Sequence, residues 1–212
     1  NKAPLMEHEG HPVEERVLLP KAYITTLAFR TKDKEFVMNQ LSEVLKSSGV
    51  HLIEDHIAKH EWKNRFKLML VKRLGPSLVP SEIIIPLSAL GEVMKEIDDK
   101  IKQPIVKEGI LIRESRNGQP EVVILGFIPS DQRKFSFNFV FGLILTILKI
   151  AKNHGGRAYS TGLYLGREAS EILGEERVRN LKAFKAQFDS KSILNPEKVI
   201  HSGLLSKVIG IA

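Results

Sequence analysis

Glu82-Ile83-Ile84-Ile85-Pro86-Leu87-Ser88-Ala89-Leu90 is the stretch on which the fold turns. Three consecutive β-branched residues closed by a proline read as a strand, because branched side chains suit a pleated surface and proline interrupts the ladder. Ser88 then supplies an N-cap oxygen, and Leu90, Val93, Met94, Ile97 and Ile101 recur at helical spacing. The reading is a strand, a tight junction and an amphipathic helix.

The same alternation extends to both sides. Upstream, Ala22 to Phe29 is β-rich, and after Thr31 a helix places Val37, Leu41, Val44 and Leu45 on one face before Gly49 stops it. Ile53 to Phe66 reads as a short helix and Leu74 to Pro80 as a loop. Downstream, Gly109 to Arg113 and Glu121 to Phe127 flank the turn signal Ser115-Arg116-Asn117-Gly118-Gln119-Pro120, which predicts a hairpin. Pro129-Ser130-Asp131 is expected to open a long helix that runs to about Asn153 and ends at Gly155-Gly156. A strand over Ala158 to Leu165 follows. The last helix carries Val178, Leu181, Phe184 and Phe188 on one face, and an extended tail begins at Ile193. Strands alternating with helices around a hairpin predict an α+β fold, ferredoxin-like, with a mainly antiparallel sheet and helices packed on one face. No GxGxxG loop precedes a helix, so no Rossmann nucleotide site is expected.

Composition excludes whole classes of chemistry. The 212 residues are 42% hydrophobic and 27% charged, which suits an ordinary globular core. With no cysteine, the chain itself carries no disulfide, iron–sulfur cluster, thiolate zinc site or cysteine nucleophile. The longest apolar run, Phe135 to Leu148, spans about 21 Å as a helix, too short for a bilayer core, and reads as a buried helix. The net charge is +7, yet most Lys and Arg are spread among Asp and Glu with few aromatics between them, which argues against nucleic acid. The start, Asn1-Lys2-Ala3-Pro4, has no charged-then-apolar leader. The expectation is a piece of a longer cytoplasmic chain, in solution or peripheral at a membrane, with no transmembrane segment.

Three polar groupings are candidates for chemistry. His56 and His60 lie one helical turn apart, a spacing that can chelate a metal with Glu61. It serves a solvated helix face equally, and the general-base Glu of an HExxH site is missing. Trp62 and Arg65 are also one turn apart, so the indole can pack inward while the guanidinium, shaped for two parallel bonds to a carboxylate, projects from the same side toward whatever lies beyond the helix. A plain surface arginine has the same spacing. Between Gly155 and Gly166, a strand would put Tyr159, Thr161 and Leu163 on one face and Ser160 and Tyr164 on the other, to line a pocket or simply to pack in a sheet. No Ser/His/Asp arrangement stands out.

Phe188-Asp189-Ser190-Lys191-Ser192-Ile193-Leu194-Asn195-Pro196-Glu197-Lys198 resembles the FDPKGILNPGK signature that closes flavin-linked oxidases of the vanillyl-alcohol oxidase superfamily. Trp62-Lys63-Asn64-Arg65 is similar to the family's WxxR helix, Ile83 to Ser88 to its VxVPxS junction, and Gly155-Gly156 to its helix end, all in the family's order. From about Lys21 to Lys198 the chain resembles the FAD-linked oxidase C-terminal domain of the glycolate oxidase flavin subunit and D-lactate dehydrogenase group.

That resemblance implies a cap and substrate domain over residues 21–200, covering FAD held by a separate N-terminal domain. Residues 1–20 would be the arm from that domain and 201–212 a tail. It implies that Arg65 grips the carboxylate of a small 2-hydroxy acid, that Tyr159, Thr161 and Tyr164 line the pocket, and that Asn195 touches the cofactor. An iron–sulfur subunit is among the expected electron acceptors. The family's metal-binding HxGDGNxH and GEHG motifs correspond here to Arg116-Asn117-Gly118-Gln119-Pro120-Glu121-Val122 and Ser160-Thr161-Gly162-Leu163, without a histidine in either. No metal is therefore expected, and a noncatalytic binding or assembly subunit that retains the cap fold is the alternative function.

Overall fold

The computed structural model describes residues 24–28, 30–65, 77–112, 118–131, 133–162 and 165–195. The chain divides into two compact units, with the boundary between Leu74 and Gly75.

In the first unit, Asp33 caps helix α1 (Lys34–Ser48) by accepting the Phe36 N–H at 2.9 Å, and Gly49 ends it in the left-handed region at φ 66°. Val37, Leu41 and Leu45 are half-buried and Val44 is exposed. Helix α2 (Asp55–Asn64) follows, with Ile57 buried. The strand expected from Ala22 is not formed where it can be seen. Residues 24–28 are irregular and, beyond Ile24, exposed, and no strand among the described residues pairs with them.

The second unit is built around a sheet of β1 (Ser77–Pro86), β2 (Val106–Ile112), β3 (Glu121–Ser130) and the two-residue β4 (Arg157–Ala158). Every pairing is antiparallel and the spatial order is β2-β3-β1-β4. Helix α3 (Leu90–Lys100) connects β1 to β2, and α4 (Phe137–Asn153) connects β3 to β4. Two further helices, α5 (Ala169–Leu173) and α6 (Glu175–Phe188), complete an α+β arrangement.

Alternation along the strands separates the two faces. Val79, Ile83 and Ile85 of β1 and Val122, Ile124 and Ile128 of β3 form one core with Val93 and Ile97 of α3 and Val140, Ile144 and Ile147 of α4. Each of these aliphatic side chains removes enough apolar surface from water to contribute about 1.5–3 kcal/mol. The opposite face, clear of α3 and α4, carries Glu82 and Ile84 of β1 against Leu125 and Val123 of β3.

Local expectations fail where a distant partner decides. Ser88 does not cap α3, because Leu87–Ala89 forms a 3₁₀ turn and Leu87 N–H is held by the Pro120 carbonyl at 2.9 Å. Leu74 to Pro80 is not all loop, since β1 begins at Ser77. Pro129-Ser130-Asp131 does not open α4. Ser130 still pairs with Ser77, whose hydroxyl donates to its carbonyl at 3.0 Å, and the helix begins at Phe137. The apolar run is not wholly buried either, because Phe135 and Phe139 face outward. Ile193 and Leu194, where the tail begins, are exposed.

Candidate functional site

The strand expected over Ala158 to Leu165 stops at Ala158, and β1 supplies the reason. Tyr159 N–H donates to the Glu82 carbonyl at 3.1 Å, so even-numbered residues of β1 turn their backbone groups toward β4. The next such residue is Pro80, which has no N–H, and the ladder cannot continue. The chain bends instead, and Ser160 Oγ donates to the Glu82 carboxylate at 2.6 Å. Tyr159 is left about half exposed and Thr161 partly buried, without the strand alternation that would set them on one face. Tyr164 and Leu163 lie outside the described residues, as do residues 1–20, Arg116, Asn117 and the tail beyond Asn195.

The double glycine positions this end of the sheet. Gly155 takes φ 74° and donates to Lys152 O, while Gly156 donates to Ala151 O at 2.7 Å, a left-handed helix stop with two bonds. A Cβ on Gly156 would come within 2.5 Å of Ile84 O, so only glycine lets the end of α4 approach β1 this closely.

Arg157 follows at once. Its fork donates to Glu121 Oε1 and Oε2 at 2.6 and 2.9 Å, passing over β1, which lies between their strands. Glu121 raises the guanidinium pKa above its ordinary value, against the effect of burial. Glu121 with Arg157 and Glu82 with Ser160 are thus two polar pairs on a face whose centre is apolar, with the Ile84–Val123 pair between them. At that centre Ile84, Val123 and Phe127 are each less than a tenth exposed. Nearby, Lys152 joins α4 to Glu168 and Glu171. Burial lowers its pKa, Glu168 and Glu171 together more than offset that, and the net shift is upward.

In the first unit, Arg65 stacks over the Trp62 ring at 4.0 Å and donates to the Trp62 carbonyl. The indole is thus more than half exposed and does not pack inward. The stack engages the face of the guanidinium, whereas carboxylates bind its edge. His56 turns to Glu54 at 3.0 Å. His60 is mostly buried, with Nδ1 3.4 Å from Glu61 and Nε2 without a partner. No group of three or more metal-ligating side chains converges among the described residues. Asn195 is exposed in the left-handed region at φ 43°.

The Arg157–Glu121 and Glu82–Ser160 contacts were not anticipated from the sequence. The available signals were a glutamate inside an apolar strand and an arginine directly after a double glycine. No family model matches the chain, and no curated protein matches it.

Proposed function

We propose that the chain is the substrate-binding and cap domain of a flavin-dependent oxidoreductase, a dehydrogenase or oxidase of a 2-hydroxy acid such as glycolate or D-lactate. The observation that carries this reading is a set of landmarks in one chain order: Trp62 and Arg65, Ile83 to Ser88, Gly155-Gly156, and the signature from Phe188 to Lys198. The second unit supports it, since a β-α-β-β-α-β sequence with strands ordered β2-β3-β1-β4 suits a ferredoxin-like cap.

On this reading the chain is a lid for FAD and not the site that holds it. No Gly-rich loop leads into a helix, so on this reading the chain would cover the FAD ring and leave its phosphates to another domain. A separate N-terminal domain would hold most of the FAD, which when bound supplies the acceptor for the substrate hydride. Arg65 is the residue assigned to the substrate carboxylate. Asn195 is assigned to the cofactor, and an iron–sulfur subunit to the onward electrons.

The test is to purify the full open reading frame that contains this chain and add glycolate or D-lactate without air. Yellow protein that bleaches is the expected result, and Arg65→Ala should then raise KM for carboxylate substrates about tenfold with uncharged alcohols little changed. Protein that stays colourless after FAD is supplied overturns the reading. Yellow protein that no hydroxy acid bleaches assigns the chain to the noncatalytic binding or assembly role. One observation favours that role: Ser160 and Thr161 stand where metal-using relatives have a histidine motif, and Ser160 is already engaged by Glu82.

A further inference from the structure

The turn before α4 and the start of the helix have an outward surface that the flavin reading leaves unused. Phe135 and Phe139 are 79% and 67% exposed, and their rings meet edge to face with centroids 5.6 Å apart. Phe137 and Phe141 make a similar pair at 5.2 Å but pack against the core. The segment thus sorts four phenylalanines two inward and two outward. Gly142 and Lys149, both exposed, continue the outer side of the helix at i+3 and i+10 from Phe139.

Charge along this part of the chain is one-sided. From Gln132 through Arg167 there is no Asp or Glu, while Arg133, Lys134, Lys149, Lys152, Arg157 and Arg167 are basic. Arg133 is paired with Asp131, Lys152 with Glu168 and Arg157 with Glu121. Lys134 and Lys149 stand exposed along the aromatic stripe.

Exposed rings flanked by Lys134 and Lys149, with the nearby Asp131 bound by Arg133 and Glu168 by Lys152, match the interface of an anionic bilayer. Aromatic rings settle at headgroup depth there, and each nearby Lys gains from the negative surface potential. A second copy of this chain docking the same surface would set lysine against lysine. A purely apolar protein groove would gain nothing from the two exposed lysines.

We infer that the entry to α4, with Lys134 and Phe135 in the turn before the helix and Phe139 at its start, is a peripheral docking site for anionic lipid. The helix lies on the interface and does not span it. α4 has 17 residues, and no helix among the described residues is long and apolar enough to cross a membrane. Two rings and two bases give a weak, reversible and salt-sensitive attachment.

Flotation of the full chain with phosphatidylcholine vesicles, plain or with about one-third phosphatidylglycerol, tests this. The wild type should float with the anionic vesicles alone and be released by about 0.5 M salt. Phe135→Ser/Phe139→Ser should lower the bound fraction about tenfold, and Lys134→Glu should lower it with the rings intact. Both substitutions fall on exposed positions, and an unchanged circular dichroism melt confirms folding. Equal flotation of wild type and the phenylalanine double variant overturns the proposal, as does binding indifferent to lipid charge. Phenylalanine-dependent self-association in sedimentation, with no flotation, overturns it in favour of a second copy.

Discussion

Arg157 and Glu121 lie on β4 and β3, two strands that never touch, and their two parallel hydrogen bonds of 2.6 and 2.9 Å cross β1. The pair ties the two-residue β4 to the sheet more firmly than its short ladder can. Both side chains are largely out of water, so removing one leaves the other charge poorly solvated. Arg157→Ala should cost about 2–4 kcal/mol in urea unfolding, while Arg157→Met/Glu121→Leu together should cost less than the single change. A double variant that loses the sum of the two single losses would show the pair to be uncoupled.

Much of the second unit can be read directly from residue pattern, for identifiable reasons. The helical stripe from Leu90 to Ile101 and the hairpin around Gly118 depend on neighbours within a turn or two, and both stand as expected. The end of β4 depends on which way Pro80 points, and that is known only once β1 has been paired. The Arg157–Glu121 bond joins residues 36 apart across a third strand. Trp62 shows the limit at short range. Its spacing to Arg65 suits an indole turned into a core and an indole stacked on an exposed guanidinium alike, and the structure has the stack.

Ser81 is a hydroxyl in the wrong solvent. It sits opposite Gly126 on the core face of β1, 2% exposed, and its Oγ has no hydrogen-bond partner. A buried unsatisfied polar group opposes folding, and removing it opens little space. Ser81→Ala should stabilise the protein by about 1 kcal/mol, seen as a higher urea midpoint at unchanged slope. A lower midpoint would mean that the hydroxyl has a partner in solution.

Two glycines of α4 and its terminus should respond in opposite directions to the same change. Gly142 is exposed inside the helix with nothing within 4 Å of an added Cβ, so Gly142→Ala should stabilise by up to about 1 kcal/mol. Gly156→Ala drives the same methyl against Ile84 O at 2.5 Å and Ala151 O at 2.9 Å, and neither backbone carbonyl can move without breaking the sheet or the helix stop. A loss of about 2–4 kcal/mol in thermal unfolding is expected. Similar effects at the two sites would contradict the close approach of α4 to β1.

The clasp after α6 should open in acid. Asp189 Oδ1 accepts the Ile193 N–H at 2.7 Å and Oδ2 the Leu194 N–H at 3.1 Å, while Lys185 reaches both Asp189 and the Leu194 carbonyl. The Lys185 ammonium, helped by the two N–H groups and opposed by burial, holds the Asp189 carboxyl below the usual carboxylate range. Its pKa is thus lower in the folded than in the unfolded chain, so the unfolded chain binds the proton more readily. The stabilisation is complete above the unfolded carboxyl's pKa and is lost as pH falls through the folded one. In an NMR titration the Ile193 and Leu194 amide shifts should move together, with a midpoint below that of a free Asp, and Asp189→Asn should abolish the titration. A midpoint at or above the free value would mean that Ile193 and Leu194, both exposed, are not held by this carboxylate.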